Sequence, residues 1–304
     1  MARIGRIQTL LGDFDNASVS LKESKEILVK AYGENSPQAA QVYMELGRLF
    51  IYQRNFKDAF PQINKALEIA QSKYSSSQLL SDCYRTMGDY YFNIRNLDLA
   101  LENYKKSQSI LIEKYGMNHP DIGILLLAMG TINHHAGRIQ DAFSFFEKAV
   151  EVIKNTSSEN NPTLGGVYSN MALILMNQRK IKEAIETLQK ALFIFNNKYG
   201  EENPHSAETL NNLGRLYLQS GNLNEAEKCI DLSIKYFTYL YGENDFSYAK
   251  ALTTRGALLF SKNDYKGAYE CYTKIAKVYE QTYGPHHPET QNIMKNLEFI
   301  KQKL

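Results

Sequence analysis

The sequence predicts an all-α fold, a right-handed superhelical solenoid of helix-turn-helix hairpins. Three observations predict it: a 42-residue internal repeat, two small residues fixed within each repeat, and apolar stripes at helical spacing. A small residue recurs at Gly5, Gly47, Gly88, Gly130, Ala172, Gly214 and Gly256, at intervals of 42, 41, 42, 42, 42 and 42 residues. Alanine keeps the same intervals at Ala17, Ala59, Ala100, Ala142, Ala184, Ala226 and Ala268. Two small positions tracking one period make each unit a copy of one supersecondary element.

Each unit reads as two helices, as residues 204–242 illustrate. Pro204 suits a first helical position, where the missing N–H has no intrahelical partner to lose. Leu210, Leu213, Leu216 and Tyr217 then recur at three- and four-residue steps, the spacing of one helix face. Gly221 supplies the left-handed residue that ends this helix, and Asn222 caps the next. Ala226, Ile230, Ile234 and Phe237 form the buried stripe of the second helix. Gly214 and Ala226 fall where the two helices cross, and small side chains there let the backbones approach to roughly 8–10 Å. A single hairpin cannot cover both of its apolar faces, so neighbours stack. The first helices then line a concave inner wall and the second helices form the outer one.

An aromatic-glycine step closes the units at Tyr32-Gly33, Tyr115-Gly116, Tyr199-Gly200, Tyr241-Gly242 and Tyr283-Gly284, with Tyr74-Ser75 in its place in one unit and Ser157-Ser158 breaking it in another. A single array is expected over residues 1–304, with repeats at 1–33, 34–75, 76–116, 117–158, 159–200, 201–242 and 243–284 and a C-terminal helix at 285–304. The first helix is expected from Arg3 to Leu11 with no polar cap before it, and the last near Asn292 to Lys303. Terminal repeats normally carry polar outer faces, so either the ends are capped by partners or copies or the chain is a piece of a longer array; docking through the ends is the expectation.

These features resemble the tetratricopeptide repeat (TPR) family over essentially the whole chain. Tyr115-Gly116-Met117-Asn118-His119-Pro120 and Tyr283-Gly284-Pro285-His286-His287-Pro288 resemble the kinesin light chain subtype of that repeat. Thr209-Leu210-Asn211-Asn212-Leu213-Gly214-Arg215-Leu216-Tyr217 and Pro61, just after Asp58-Ala59-Phe60, are similar to it as well. The resemblance implies recognition of proteins or peptides. It also implies that wall-facing residues lie six, three and two positions before the small residue and one, four and five after it. Those offsets select Asn170, Asn177, Asn211, Asn212, Arg215 and Gln219, with Arg48, Arg85, Lys250 and Lys295, as candidate peptide-binding residues. Amide side chains offer a donor and an acceptor to an extended peptide backbone. Arg215 offers a bidentate partner for a carboxylate. Leu127, Ala128 and Thr131 make the middle of the wall less polar.

Composition narrows the function further. The 304 residues carry 35 Lys+Arg against 33 Asp+Glu, a net charge of +2, which gives no support for nucleic-acid binding by phosphate neutralisation. No apolar run approaches the length of a membrane span. Cys83, Cys229 and Cys271 are too few, and odd in number, for a disulfide framework, and this argues for a reducing, cytoplasmic compartment. Cys229 and Cys271 lie 42 residues apart and read as packing residues of successive second helices. His134 and His135 are adjacent, about 100° apart around a helix, whereas a helical metal pair needs three- or four-residue spacing. His119 and His287 read as turn residues of the repeat and His205 as an exposed one. Ser75-Ser76-Ser77 and Ser157-Ser158 read as loops between hairpins.

No catalytic motif, metal site or cofactor is expected. The expected function is a non-catalytic adaptor or scaffold that holds a peptide or protein segment in the concave groove. The alternative is a structural component of a large assembly, cytoskeletal or ciliary for example. It would be held through the array ends and convex residues such as Lys65, Lys105, Lys148 and Lys190. Self-association by end-to-end stacking is a third expectation.

Overall fold

A computed structural model describes residues 2–73 and 78–304. Tyr74-Ser75 and the Ser75-Ser76-Ser77 loop lie outside the described residues. The described residues form helices and no strand. The helices pair as hairpins: α1 (Ala2–Leu10) with α2 (Phe14–Tyr32), α3 (Pro37–Tyr52) with α4 (Phe56–Lys73), α5 (Gln78–Asn93) with α6 (Leu97–Tyr115), and α7 (Pro120–His135) with α8 (Ile139–Thr156). Then follow α9 (Pro162–Asn177) with α10 (Ile181–Tyr199), α11 (Pro204–Gln219) with α12 (Leu223–Tyr241), α13 (Phe246–Ser261) with α14 (Tyr265–Tyr283), and a final α15 (Pro288–Lys301). The first helix starts one residue before the expected Arg3. The last starts at Pro288, four residues before the expected Asn292, because His287 caps it.

The helices group into two compact units, residues 1–157 and 158–304. The boundary falls at Ser157-Ser158, the one unit end whose sequence lacks the closing tyrosine. In unit 1 the second helices α2, α4 and α6 pack on the following α3, α5 and α7; in unit 2, α10, α12 and α14 do the same with α11, α13 and α15.

The seven repeat alanines are all fully buried. Opposite each repeat glycine lies the residue four places after the repeat alanine. A Cβ on Gly88 would stand 2.8 Å from the Tyr104 ring, on Gly214 2.6 Å from Ile230 Cγ1, and on Gly256 2.7 Å from the Tyr272 ring. Where the small position is Ala172, the opposing residue is Leu188, and both are buried.

The structure adds a second pair of small positions that the sequence reading missed. Seven residues before the repeat glycine stand Ala40, Ser81, Gly123, Gly165, Ala207 and Ala249; seven after the repeat alanine stand Ser24, Ala66, Ser107, Ala149, Ala191 and Ser233. They bring the hairpin's helices together at its other end. The hydroxyls of Ser81 and Ser107 share a 2.8 Å hydrogen bond, and Ser233 donates to the Ala207 carbonyl at 2.7 Å.

The hairpin turns follow from one backbone requirement. Seven residues after the small position the chain takes positive φ in every repeat: Gly12, Gly137 and Gly221 do so freely, and Arg54, Arg95, Arg179 and Asn263 do so as non-glycine residues at φ 56–64. The closing glycines Gly33, Gly116, Gly200, Gly242 and Gly284 lie at φ 75–85.

The Tyr-Gly-x-x-His-Pro motif acquires a physical account. The Tyr115 ring stacks on His119 at 4.6 Å and Tyr283 on His287 at 4.5 Å. The Nδ1 atoms of these imidazoles accept the backbone N–H of Asp121 and Glu289, capping α7 and α15. Asn161, Asn203 and Asp245 cap the equivalent helices elsewhere. His205 is exposed as expected, yet stacks on Phe195 at 4.9 Å.

Candidate binding walls on the first helices

In unit 1 the first helices enclose a cleft of about 530 Å³. Its lining residues are Arg6, Thr9, Leu10, Glu45, Arg48, Ile51, Tyr52, Arg54, Arg85, Asp89, Asn93 and Ile124. Every one except Arg54 sits at an offset named above, so the repeat register alone brings this set of side chains to one place. Arg54 enters from the left-handed residue that ends α3.

The cleft floor is ionic. Glu45 is only 4% exposed, and its Oε1 takes Arg48 Nη1 at 2.9 Å and faces Arg6 Nη1 at 3.9 Å. Arg48 Nε donates to Thr86 Oγ1 at 3.0 Å, and that hydroxyl donates in turn to the Asp82 carbonyl at 2.8 Å. Arg48 Nη2 is buried and meets no acceptor among the described residues. Arg85 pairs with Asp82 at 3.0 Å. Asp89 accepts the Tyr104 hydroxyl from α6. Removal from water raises the Asp89 carboxyl above the ordinary carboxylate range; the Tyr104 hydrogen bond and the charges of Arg85 and Arg48 hold it down against that rise. Burial likewise pushes the Tyr104 phenol well up, so it remains a neutral donor.

The candidate residues of the sequence reading divide between the units. Arg48 and Arg85 line the unit 1 cleft together. In unit 2, Asn170 is half-buried and donates to the Gly166 carbonyl at 2.9 Å. Asn211 and Asn212 are 1% and 7% exposed, and Asn211 Oδ1 has no donor among the described residues. Arg215, Gln219, Asn177 and Lys295 are exposed. Lys250, also exposed, pairs at 3.2 Å with Glu208, the residue at its equivalent offset one repeat earlier. Sequence reasoning left Arg6, Glu45, Asp89 and Arg54 off the candidate set. The available signal was a charge at the same offset in three successive repeats, Arg6, Arg48 and Asp89.

The groups with reactive potential are held inert. Burial pushes the Cys83 thiol up to about 12 and the Cys229 thiol to about 11, and raises Cys271. At neutral pH all three are thiols rather than nucleophilic thiolates. Among the described residues no group of three His, Cys, Asp or Glu side chains is placed to hold a metal, and no helix is long and apolar enough to cross a membrane.

Tetratricopeptide repeat descriptions match residues 1–72, 77–155 and 163–236, and a second description of the same repeat matches 249–289. The chain belongs to the tetratricopeptide repeat family. It is 35% identical over 65 residues to tetratricopeptide repeat protein 23 of Mus musculus, a segment covering 21% of this chain and 13% of that protein. It is 28% identical over 67 residues to Protein KINESIN LIGHT CHAIN-RELATED 3 of Arabidopsis thaliana, covering 22% of this chain and 10% of that one. The chain thus matches only about a tenth of the length of these curated relatives. Among solved structures, BtubC (BKLC) from P. vanneervenii superposes with a TM-score of 0.63 at 21% identity, over 75% of this chain and 91% of that one. A kinesin light chain-related protein is thus among the proteins this chain is similar to. TPR proteins bind proteins or peptides, and as a family they are generally not catalytic.

Proposed function

We propose that this protein is a non-catalytic adaptor whose first-helix walls hold an extended segment of a partner protein. The observation that carries this reading is the cleft of unit 1, built from the register positions that face the wall and lined by guanidinium, amide and apolar groups together. In unit 2 the exposed Arg215, Gln219, Asn177 and Lys295 offer charge and amide hydrogen bonds to a backbone or a carboxylate. Free thiols at Cys83, Cys229 and Cys271 favour a reducing compartment, and the cytoplasm is the proposed location.

One observation favours a second reading, a scaffold docked through the α1 end of the array: Ile4, Ile7 and Leu11, which do not line the cleft, expose 54–78% of their surface along and just after α1. Affinity purification with the intact protein and an Arg215→Glu variant in parallel separates the two. Loss of a partner from the variant supports the wall; retention of every partner sinks the wall reading in unit 2 and leaves the scaffold.

A further inference from the structure

The unit 1 cleft contains four guanidinium groups against two carboxyl groups, in a volume of about 530 Å³ that is ordinary for a small-ligand site. The carboxylates in and around it have already taken the paired faces of the forks: Glu45 faces Arg48, and Asp82 faces Arg85. What is left over are single N–H groups on separate side chains. Arg48 Nη2 is buried without an acceptor, a costly arrangement for a guanidinium nitrogen unless something completes it. The Arg54 side chain makes no ion pair or hydrogen bond among the described residues, and Arg6 reaches Glu45 only at 3.9 Å. A planar carboxylate is matched by one fork seen edge-on. A fork serves a phosphate edge equally well, but donors spread over three side chains can also engage the third terminal oxygen of a tetrahedral phosphate, which a carboxylate does not present.

A second observation concerns Arg54 itself. It stands at φ 56 in a turn that holds glycine in three repeats, at Gly12, Gly137 and Gly221, and Arg95, Arg179 or Asn263 in three others; of these residues, Arg54 alone lines the cleft. An arginine there costs the backbone about 1 kcal/mol or more. That cost places a guanidinium at the cleft, where glycine would place none.

We propose that the unit 1 cleft binds a phosphate group carried as a phosphomonoester, with Arg48, Arg54 and Arg6 as its ligands and the Asp89 carboxyl as the acidic group that competes for them. The proposal rests on the first-helix walls being binding faces, and it names the chemistry recognised in one of them. Asp89, hydrogen-bonded to Tyr104 beside Arg85 and Arg48, occupies part of the positive field that a ligand would use.

The test is titration calorimetry of the intact protein with O-phospho-L-serine and inorganic phosphate, with L-aspartate as the carboxylate control. Saturable binding of both phosphate probes is expected, with L-aspartate weaker by about tenfold, equivalent to roughly 1.4 kcal/mol. Arg48→Lys keeps a cation beside Glu45 but removes the free Nη2, and it should weaken O-phospho-L-serine by about tenfold. Arg54→Gly guards against misfolding, because it should raise the thermal midpoint while weakening binding. Asp89→Asn should tighten binding. Tighter binding of O-phospho-L-serine than of inorganic phosphate supports a ligand that continues along the wall; equal binding supports small phosphorylated molecules as the source. No saturation by ~10 mM probe, equal binding of L-aspartate, or affinities unmoved by both arginine variants overturns the proposal. A partner lost from Arg215→Glu while the phosphate probes fail would overturn the phosphate site alone and leave the adaptor reading standing.

Discussion

Gly214→Ala isolates the packing rule on which every hairpin depends. Built on the native backbone, the new Cβ stands 2.6 Å from Ile230 Cγ1, about 1 Å inside an ordinary carbon–carbon contact. Ile230 is fully buried on α12 and cannot move into solvent. Overpacking of this kind costs about 1–3 kcal/mol. Replacing a mid-helix glycine by alanine returns about 1 kcal/mol through helix propensity. The balance is a loss of up to about 2 kcal/mol, where a solvent-facing glycine would give a gain. The chain contains its own control: at the equivalent place Ala172 opposes Leu188, both buried. Ile230→Leu alone should cost under about 1.5 kcal/mol. Combined with Gly214→Ala it should restore most of the loss, a favourable coupling of roughly 1–2 kcal/mol. Urea denaturation followed by helical circular dichroism measures all four corners of the cycle, provided the slopes agree. A Gly214→Ala protein more stable than the parent, or a double variant that merely sums the single ones, would refute the reasoning.

Three further outcomes follow from single sites. Pro61 lies in the sixth position of α4, beyond the first turn, where it removes the N–H that would bond to the Lys57 carbonyl; Pro61→Ala should stabilise by about 1–3 kcal/mol in the same denaturation assay, and an unchanged midpoint would mean that the helix has adapted to the ring. His119→Ala deletes the imidazole that accepts the Asp121 N–H and stacks on Tyr115, so it should cost about 1 kcal/mol, with His119→Asn recovering most of it, since Asn161 caps α9 in the same way by accepting the Thr163 N–H. Asp89 has a carboxyl raised by burial, so folding favours its protonated form. Its contribution to stability is therefore complete below the ordinary carboxylate range and is lost as pH rises through the raised value. Asp89→Asn should remove that fall from the pH–stability curve, and a curve unchanged in shape would refute the raised carboxyl.

What the sequence reveals about this fold depends on whether a feature is written in one residue or in the meeting of several. The left-handed turn at Gly221, the cap at Asn222 and the proline start of α11 are each one residue's conformational preference, and the structure has them where the sequence places them. The helix crossing at Gly214 and Ala226 is likewise legible, because a small residue repeated seven times at one period has few explanations. The second pair of small positions was equally present in Ser24, Ala66, Ser107, Ala149, Ala191 and Ser233, but serine and alanine also fill solvent faces and do not announce a contact. The wall was half legible. Offsets collected Arg48 and Arg85, yet not the fact that Glu45 and Thr86 would hold Arg48, because that depends on the reach of long side chains between α3 and α5. Asn211 shows the opposite case: its offset is the same as that of Arg85, but it is 1% exposed where Arg85 is half-buried in an open cleft. An offset fixes the direction of a Cα–Cβ bond. Whether the side chain ends in a wall or under a neighbour is decided by the size of the residues around it.

The turn at the end of each first helix shows how this architecture divides stability from recognition. One backbone conformation is required there in all seven repeats, and glycine meets it at no steric cost in three. Arginine at Arg54, Arg95 and Arg179 meets it at a cost of about 1 kcal/mol each. The second-helix stripes, buried at Ala226, Ile230 and their equivalents, supply enough apolar packing for such local costs to be tolerated. A position whose backbone is fixed by the repeat and whose side chain is free of the core can therefore carry a charge without unsettling the hairpin. At Arg54 that freedom delivers a guanidinium into a cleft already assembled from four first helices. Chemistry can change on the wall, repeat by repeat, while the nested small residues beneath it keep the spacing constant.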